Sequence, residues 1–370
     1  MARFFILILA LFSASPAHAQ AFKRALVIGG GGISPGVALG MIAGAQAAGY
    51  KPDLIVTSCG SSLGAALYAS FGDARQALAY AKSETFYRSF APLVKIDSRF
   101  ALTLKRRLDG AAANPTLLPE LFDSNILKVP EDVTGLLPRE QFPAKGPRLV
   151  VVAARALFGP GMEGRDPGAG PLFRETFITD PATAQLLRGR ASTVKQTFPY
   201  SRVAMATETL TGIALSQAVR ASISDPYYIN PARIGGHYYF GGAVDLFPIE
   251  TAQSLADEVL ANFPVGLYTA YEDLAINSTF GFAQSDRSWI ASQHKRVKWL
   301  DSSGTNGISL DPNLFGLLFL NKMPRTHEKF AEAIERQFQF GYARALEAVK
   351  AQRATVNERR HLRTTAVGNR

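Results

Sequence analysis

The chain has 370 residues, 47% hydrophobic and 19% charged, which excludes a disordered or fibrous chain and allows one large domain or two small ones. Its formal charge of +10 suits an anionic membrane surface as a peripheral contact, and no nucleic-acid motif accompanies that charge. Cys59 is the single cysteine, so an intramolecular disulfide is excluded and the fold must be held by its core.

Residues 1–19 read as a signal peptide. Arg3 precedes an apolar run from Phe4 to Phe12, and Ala17-His18-Ala19 gives a small-x-small cleavage site before Gln20. That run is too short to span a bilayer. Cleavage would export the protein to the periplasm or the medium and remove Arg3, leaving +9. Arg24 to Ile28 is a buried-strand pattern that runs directly into Gly29-Gly30-Gly31-Gly32, and a helical pattern follows from Val37 to Ala48, closed by Gly49. Leu54-Ile55-Val56 is a second strand. Strand, glycine loop, helix and strand in this order predict a parallel α/β layer.

The second strand leads into the stretch on which the rest of the chain turns. Gly60-Ser61-Ser62-Leu63-Gly64 has the G-x-S-x-G spacing of a nucleophile elbow, with a helix expected from Leu63. In such an elbow the serine sits on a strained turn whose neighbours must be small, and the helix behind it aims backbone N–H groups at a developing oxyanion. Farther on, Ala74 to Arg88 reads as one amphipathic helix. Residues 90–145, broken by several prolines, read as short helices and loops. Arg148 to Ala154, Phe173 to Thr179 and Arg202 to Thr207 read as strands, and Gly159 to Pro171 as a surface loop. Ala214 to Ser222 and Ile249 to Ala256 read as helices, Glu258 to Leu260 as a strand, and Arg325 to Ala351 as a long terminal helix. Leu314 to Leu320 has the length of a buried segment.

With these pieces in order, the chain resembles the patatin-like phospholipase family. The glycine loop Gly29 to Gly36 is similar to that family's oxyanion loop, and Pro52 to Val56 running into Gly60 to Ala65 is similar to its strand and elbow. Ala206-Thr207 to Thr211-Gly212, Ala218 to Ser222 and Pro226 match its central segment, and Gly241 to Glu250 resembles its D-G-G-x-x-x-N-x-P stretch. The resemblance implies a three-layer α/β sandwich, with a mostly parallel central sheet flanked by helices. It places a patatin-like domain at 24–350, with a motif-bearing core at 24–262, a helical part at 263–350 and a basic tail at 351–370. It also implies a Ser–Asp dyad that transfers acyl groups from lipid esters without histidine, metal or other cofactor. Ser62 is the favoured nucleophile because it alone keeps both flanking glycines. Gly30, Gly31 and Gly32 are the expected oxyanion donors. A gapless alignment from Ile55 instead puts Cys59 at the nucleophile position, and counting from Thr57 puts Ser58 there.

The departures decide what to test. The family's catalytic aspartate would precede Gly241-Gly242, where this chain has Phe240, and its asparagine is replaced by Leu246. Asp245 is the nearest substitute carboxylate. Asp225, before Pro226, stands where an apolar residue is usual and reads as a turn residue, and His237 reads as structural or solvated. Ser34-Pro35 stands where many relatives carry a basic residue, and Pro35 has no N–H to donate. Two functions are therefore expected: an exported serine acyl hydrolase acting on lipid or membrane-surface esters with an atypical acid, or a patatin-fold protein that has lost catalysis and binds a lipid or a protein partner.

Overall fold

The computed structural model describes residues 20–94, 96, 117–123, 125–263, 270–311, 313–315, 318–320 and 322–367. The signal-like stretch at 1–19 lies outside them. Strand β1 (Phe22–Ile28) shows why both sides of the sheet are covered. Ala25 and Val27 sit in one apolar cluster and Leu26 and Ile28 in the other, so a continuous apolar run is what this position requires. The chain then forms α1 (Pro35–Ala47), β2 (Leu54–Ser58), α2 (Ser61–Phe71), α3 (Ala74–Ala81) and α4 (Glu84–Phe90). The single helix expected from Ala74 to Arg88 is thus two. Ser83 breaks it by capping α4, its side chain accepting from Phe86 N–H.

Next come β3 (Arg148–Ala156), β4 (Phe173–Thr179), α5 (Pro181–Leu187), α6 (Thr193–Thr197), β5 (Glu208–Leu210) and α7 (Leu215–Ile223). The strand expected at Arg202 to Thr207 is reduced to isolated bridges at Val203 and Ala206, and pairing begins only at Glu208. The hairpin β6 (Ala232–Ile234) and β7 (His237–Phe240) precedes α8 (Ile249–Leu255) and β8 (Ala256–Phe263). After these come α9 (Ala270–Phe280), α10 (Gln284–Ser292), β9 (Val297–Asp301), α11 (Thr305–Ile308), β10 (Asn313–Phe315), β11 (Leu318–Leu320) and α12 (His327–Val367). The part beyond 263, expected to be helical, therefore also contributes strands, and within the expected buried segment β10 and β11 pair antiparallel.

The main sheet runs β5-β4-β3-β2-β1-β8-β9, with β7 pairing to β3 and β6. The central pairs β3–β2, β2–β1, β1–β8 and β8–β9 are parallel, while β3–β4, β3–β7 and β6–β7 are antiparallel. This is the mostly parallel, helix-flanked α/β sandwich expected from the sequence. A site at the carboxyl ends of β1 and β2 follows from that topology.

The close fit of α1 against α12 sets one face. Gly36, Gly40 and Gly44 lie one helical turn apart, and a Cβ at each would fall 2.5, 2.1 and 2.2 Å from the carbonyl oxygens of Ile334, Phe338 and Tyr342. Gly341 returns the contact, with Val37 O at 2.1 Å from its would-be Cβ. These obstacles are backbone atoms, which cannot swing aside. Gly40→Val should therefore destabilise the fold by about 3 kcal/mol, read as a lowered urea midpoint.

Candidate active site

Strand β2 ends at Ser58 and α2 starts at Ser61, so the turn between them has its apex at Cys59. Cys59 takes φ +54, one of the two left-handed non-glycine residues among those described. That conformation is costly for a side chain and is tolerated where the surroundings over-determine it. Two of them are visible. Cys59 N–H donates to Ser222 Oγ at 2.9 Å, and Ser222 Oγ–H donates to the Val152 carbonyl at 2.7 Å. Gly60 lets the turn close, since a Cβ there would stand 1.7 Å from the Gly32 carbonyl oxygen.

The expected serines are placed elsewhere. Ser62, the favoured nucleophile, lies in the first turn of α2, fully buried, with its hydroxyl donating to the Cys59 carbonyl at 2.7 Å. Ser58 is also fully buried, and its hydroxyl donates to the Leu246 carbonyl at 2.9 Å. The second glycine of the motif, Gly64, has its own reason: a Cβ there would sit 2.4 Å from the Pro35 carbonyl oxygen of α1. The G-x-S-x-G spacing thus arises from one glycine closing the turn and another packing two helices. The side chain at the apex is a partly buried thiol.

A carboxylate meets that thiol. Asp225, just past the end of α7, accepts from Cys59 Sγ–H through Oδ2 at 2.7 Å and from Ala243 N–H through Oδ1 at 3.2 Å. Gly241 and Gly242 make room for the pair. A Cβ on Gly241 would lie 1.8 Å from Asp225 Oδ1, and one on Gly242 would lie 2.4 Å from Cys59 N. Phe240, where an acid was looked for, points its ring into the core against Phe122 and Phe173. The carboxylate arrives from a different loop. Burial, reinforced by the nearby Asp311, raises Asp225 to about 7 against the pull of the thiol hydrogen bond, and burial together with Asp225 pushes the Cys59 thiol well above its usual range. The thiol keeps its proton near neutrality, and the carboxylate, ionised once the pH passes about 7, is placed to take it. Arg220 braces this loop from within. It is fully buried, donates to the carbonyls of Val129 and Pro130 and to Ser224 Oγ, and is drawn down to about 10 by burial.

Asp245, the expected substitute acid, belongs to a separate buried cluster. Arg287 donates to both of its oxygens, at 3.1 and 3.3 Å, and to both oxygens of Glu250, at 2.9 and 2.6 Å. An acceptor so engaged is a structural anion. His237 is exposed on β7.

The glycine loop faces Cys59 from the end of β1. Gly30, Gly31 and Gly32 all have positive φ, at +57, +104 and +58. Gly30 N–H donates to Ser58 Oγ at 3.4 Å, whereas among the described residues the N–H groups of Gly31, Gly32 and Gly60 have no protein acceptor. Gly60 N–H follows the apex residue and lies at the mouth of α2, the usual place for one oxyanion donor. Beside them lies an apolar pocket with Cys59 and Gly60 in its wall along with Leu63, Phe90, Leu127 and Val133. Among the described residues no cluster of three or more His, Cys, Asp or Glu could hold a metal ion. None of the helices described is long and apolar enough to cross a membrane.

A thiol on a strand–helix turn, a half-buried carboxylate within reach, free N–H groups and an apolar slot are the parts that acyl transfer requires. The model of the family described as patatin-like phospholipase matches residues 26–253, and the chain belongs to that family. The crystal structure of VipD from Legionella pneumophila is similar at 11% sequence identity over 90% of this chain and 67% of that one, with a TM-score of 0.35. No curated protein matches the sequence.

Proposed function

We propose that the protein is an exported lipid acyl hydrolase in which Cys59 is the nucleophile and Asp225 its base. The observation that carries this reading is the 2.7 Å contact between Cys59 Sγ and Asp225 Oδ2, made at the left-handed apex of the strand–helix turn and at the wall of an apolar pocket. The Asp225 carboxylate takes the thiol proton as sulfur bonds to the ester carbonyl carbon. The carbonyl π electrons move onto oxygen, which receives hydrogen bonds from Gly60 N–H and from Gly31 or Gly32 N–H. Collapse breaks the ester C–O bond, and Asp225 returns the proton to the departing alcohol. Water then gives its proton to Asp225 and attacks the thioester, releasing the fatty acid and restoring the thiol. The apolar pocket accepts the acyl chain. Export rests on residues 1–19, and contact with an anionic membrane surface rests on the basic net charge.

The test is trapping. The full chain is incubated with p-nitrophenyl octanoate, quenched in acid and mapped by peptide mass. An octanoyl thioester on the Cys59 peptide, cleaved by neutral hydroxylamine and absent from Cys59→Ala, is expected. Acylation of Ser62 or Ser58 overturns the reading. So does a folded protein that neither turns over nor acylates, which would point to lipid binding without catalysis.

A further inference from the structure

The glycine loop presents a physical problem of its own. Three successive glycines at positive φ form the least restrained backbone a chain can have, yet oxyanion donors work only when held in place before the reaction. The loop must be fixed from outside. At its start, Asn262 does this on both sides of one residue, accepting from Gly29 N–H at 2.7 Å and donating to Gly29 O at 3.0 Å. At its end, the restraint comes from a segment far away in the chain. Ile33 N–H donates to Asp311 Oδ2 at 2.8 Å, and Leu310 N–H donates to Ile33 O at 2.9 Å. The Ser309 hydroxyl donates to the same Asp311 oxygen. Asp311 also fills the space over the loop, since a Cβ on Gly32 would lie 1.9 Å from its Oδ2.

The other oxygen of Asp311 accepts from the Tyr228 hydroxyl. Tyr228 stands in the turn that begins at Asp225, its N–H donating to the Asp225 carbonyl at 3.0 Å, and it lines the same pocket as Cys59. One carboxylate thus holds the oxyanion loop with one oxygen and the loop of the base with the other. The Ile33 contact, together with Ser34 N–H donating to the Gly32 carbonyl at 2.9 Å, fixes the peptide between Gly32 and Ile33 and holds that carbonyl against Gly60. Rotation of that peptide would bring the Gly32 carbonyl away from its close approach to the elbow and change what the loop offers an oxyanion.

We infer that Asp311 is a positioning residue that ties the glycine loop to the Asp225 loop and so sets the geometry of the acyl-transfer site. The inference rests on the proposed function. Two reactions of Cys59 place different demands on the site. Attack on an ester needs a held oxyanion; alkylation by iodoacetamide does not, and Cys59 is the only thiol available to alkylate. With p-nitrophenyl octanoate, Asp311→Ala should lower kcat roughly 10- to 100-fold with KM within about threefold, the range for a small misplacement of reacting groups. Alkylation of Cys59 should be no slower, because removing a nearby carboxylate eases formation of the thiolate. Asp311→Asn, which keeps an acceptor for Ile33 N–H, should recover part of kcat. If Asp311→Ala does not fold, Tyr228→Phe carries the test, with kcat expected to fall while alkylation holds. An unchanged kcat in the variant tested, or a parallel fall in alkylation and turnover, overturns the inference. Failure of the proposed function looks different: turnover then survives Cys59→Ala. Failure of the clamp alone leaves Cys59→Ala inactive and Asp311→Ala at full rate.

Discussion

Asp225→Asn should slow acylation of Cys59 by roughly 10³-fold or more, the scale seen when the base of a catalytic dyad or triad is removed, and should raise the melting temperature at pH 8. Both effects come from the same burial. The carboxylate is enclosed beside Cys59 and Ala243 N–H, and burial holds its folded-state value at about 7, against about 3.9 for an unfolded aspartate. The folded state therefore keeps a proton that the unfolded state releases. Stability falls as pH rises from about 4 to about 7, and above that window the full cost, on the order of a few kcal/mol, is present. Asparagine carries no charge and escapes that cost while its side-chain oxygen still accepts from Ala243 N–H and its amide faces the sulfur. The wild type should show the opposite preference in activity. Acylation requires the ionised carboxylate, so its rate should climb through pH 7 and level off above. The measurements are the burst of p-nitrophenol at pH 5 to 9 and the melting temperature at pH 5 and 8. A variant that keeps more than a tenth of wild-type acylation would remove Asp225 from the role of base.

Part of this site could be read from the order of residues alone. The β-branched run ending near Ser58, the glycine run and the pair Gly241-Gly242 each mark a place where backbone must turn sharply or approach another backbone, and such needs leave a local trace. The apex did not declare itself. Gly60 and Gly64 produce a motif spacing for unrelated reasons, and only the register of β2, ending at Ser58, assigns the turn to Cys59. A gapless alignment held that signal. Asp225 was visible as an odd residue before Pro226, but its meeting with Cys59 is a contact between the end of β2 and a loop after α7, and no local pattern encodes it. Asp311 left no signal at all. The direction of Asp245 was not legible either, because sequence proximity to Gly241-Gly242 says nothing about where a side chain turns, and this one turns toward Arg287. The α/β layering was legible because burial on both faces of a parallel sheet imposes continuous apolar runs. The division of Ala74 to Arg88 into two helices depended on one serine cap that periodicity does not weigh.

Arg287→Met should destabilise the protein by about 3–5 kcal/mol, the cost of removing one partner from a buried ion pair, and the deficit should be larger at pH 8 than at pH 5. Arg287 is fully buried on α10 and is the cation for two carboxylates, with Phe247 O accepting a further bond at 2.7 Å. Burial pushes Glu250 up, but Arg287 and the His294 hydrogen bond more than offset it, bringing it to about 2. Asp245 is raised by burial against the pull of Arg287. Glu175, also fully buried and pushed up to about 8 by burial and by Asp245, adds a group that stays protonated near neutrality. Without the guanidinium, Asp245 and Glu250 must either remain charged in an apolar setting or take up protons. Their folded-state values then rise above the unfolded ones, so the variant loses stability as pH increases through the carboxylate range and regains some of it in acid. Urea midpoints at the two pH values measure this directly. An equal deficit at both would mean that lost packing, and not stranded charge, is the cause. Asp245→Asn gives the matching control on chemistry: the melting temperature should fall, while p-nitrophenol release per folded molecule stays within about twofold of wild type, because the Asp245 carboxylate is held by Arg287 and the thiol donates to Asp225.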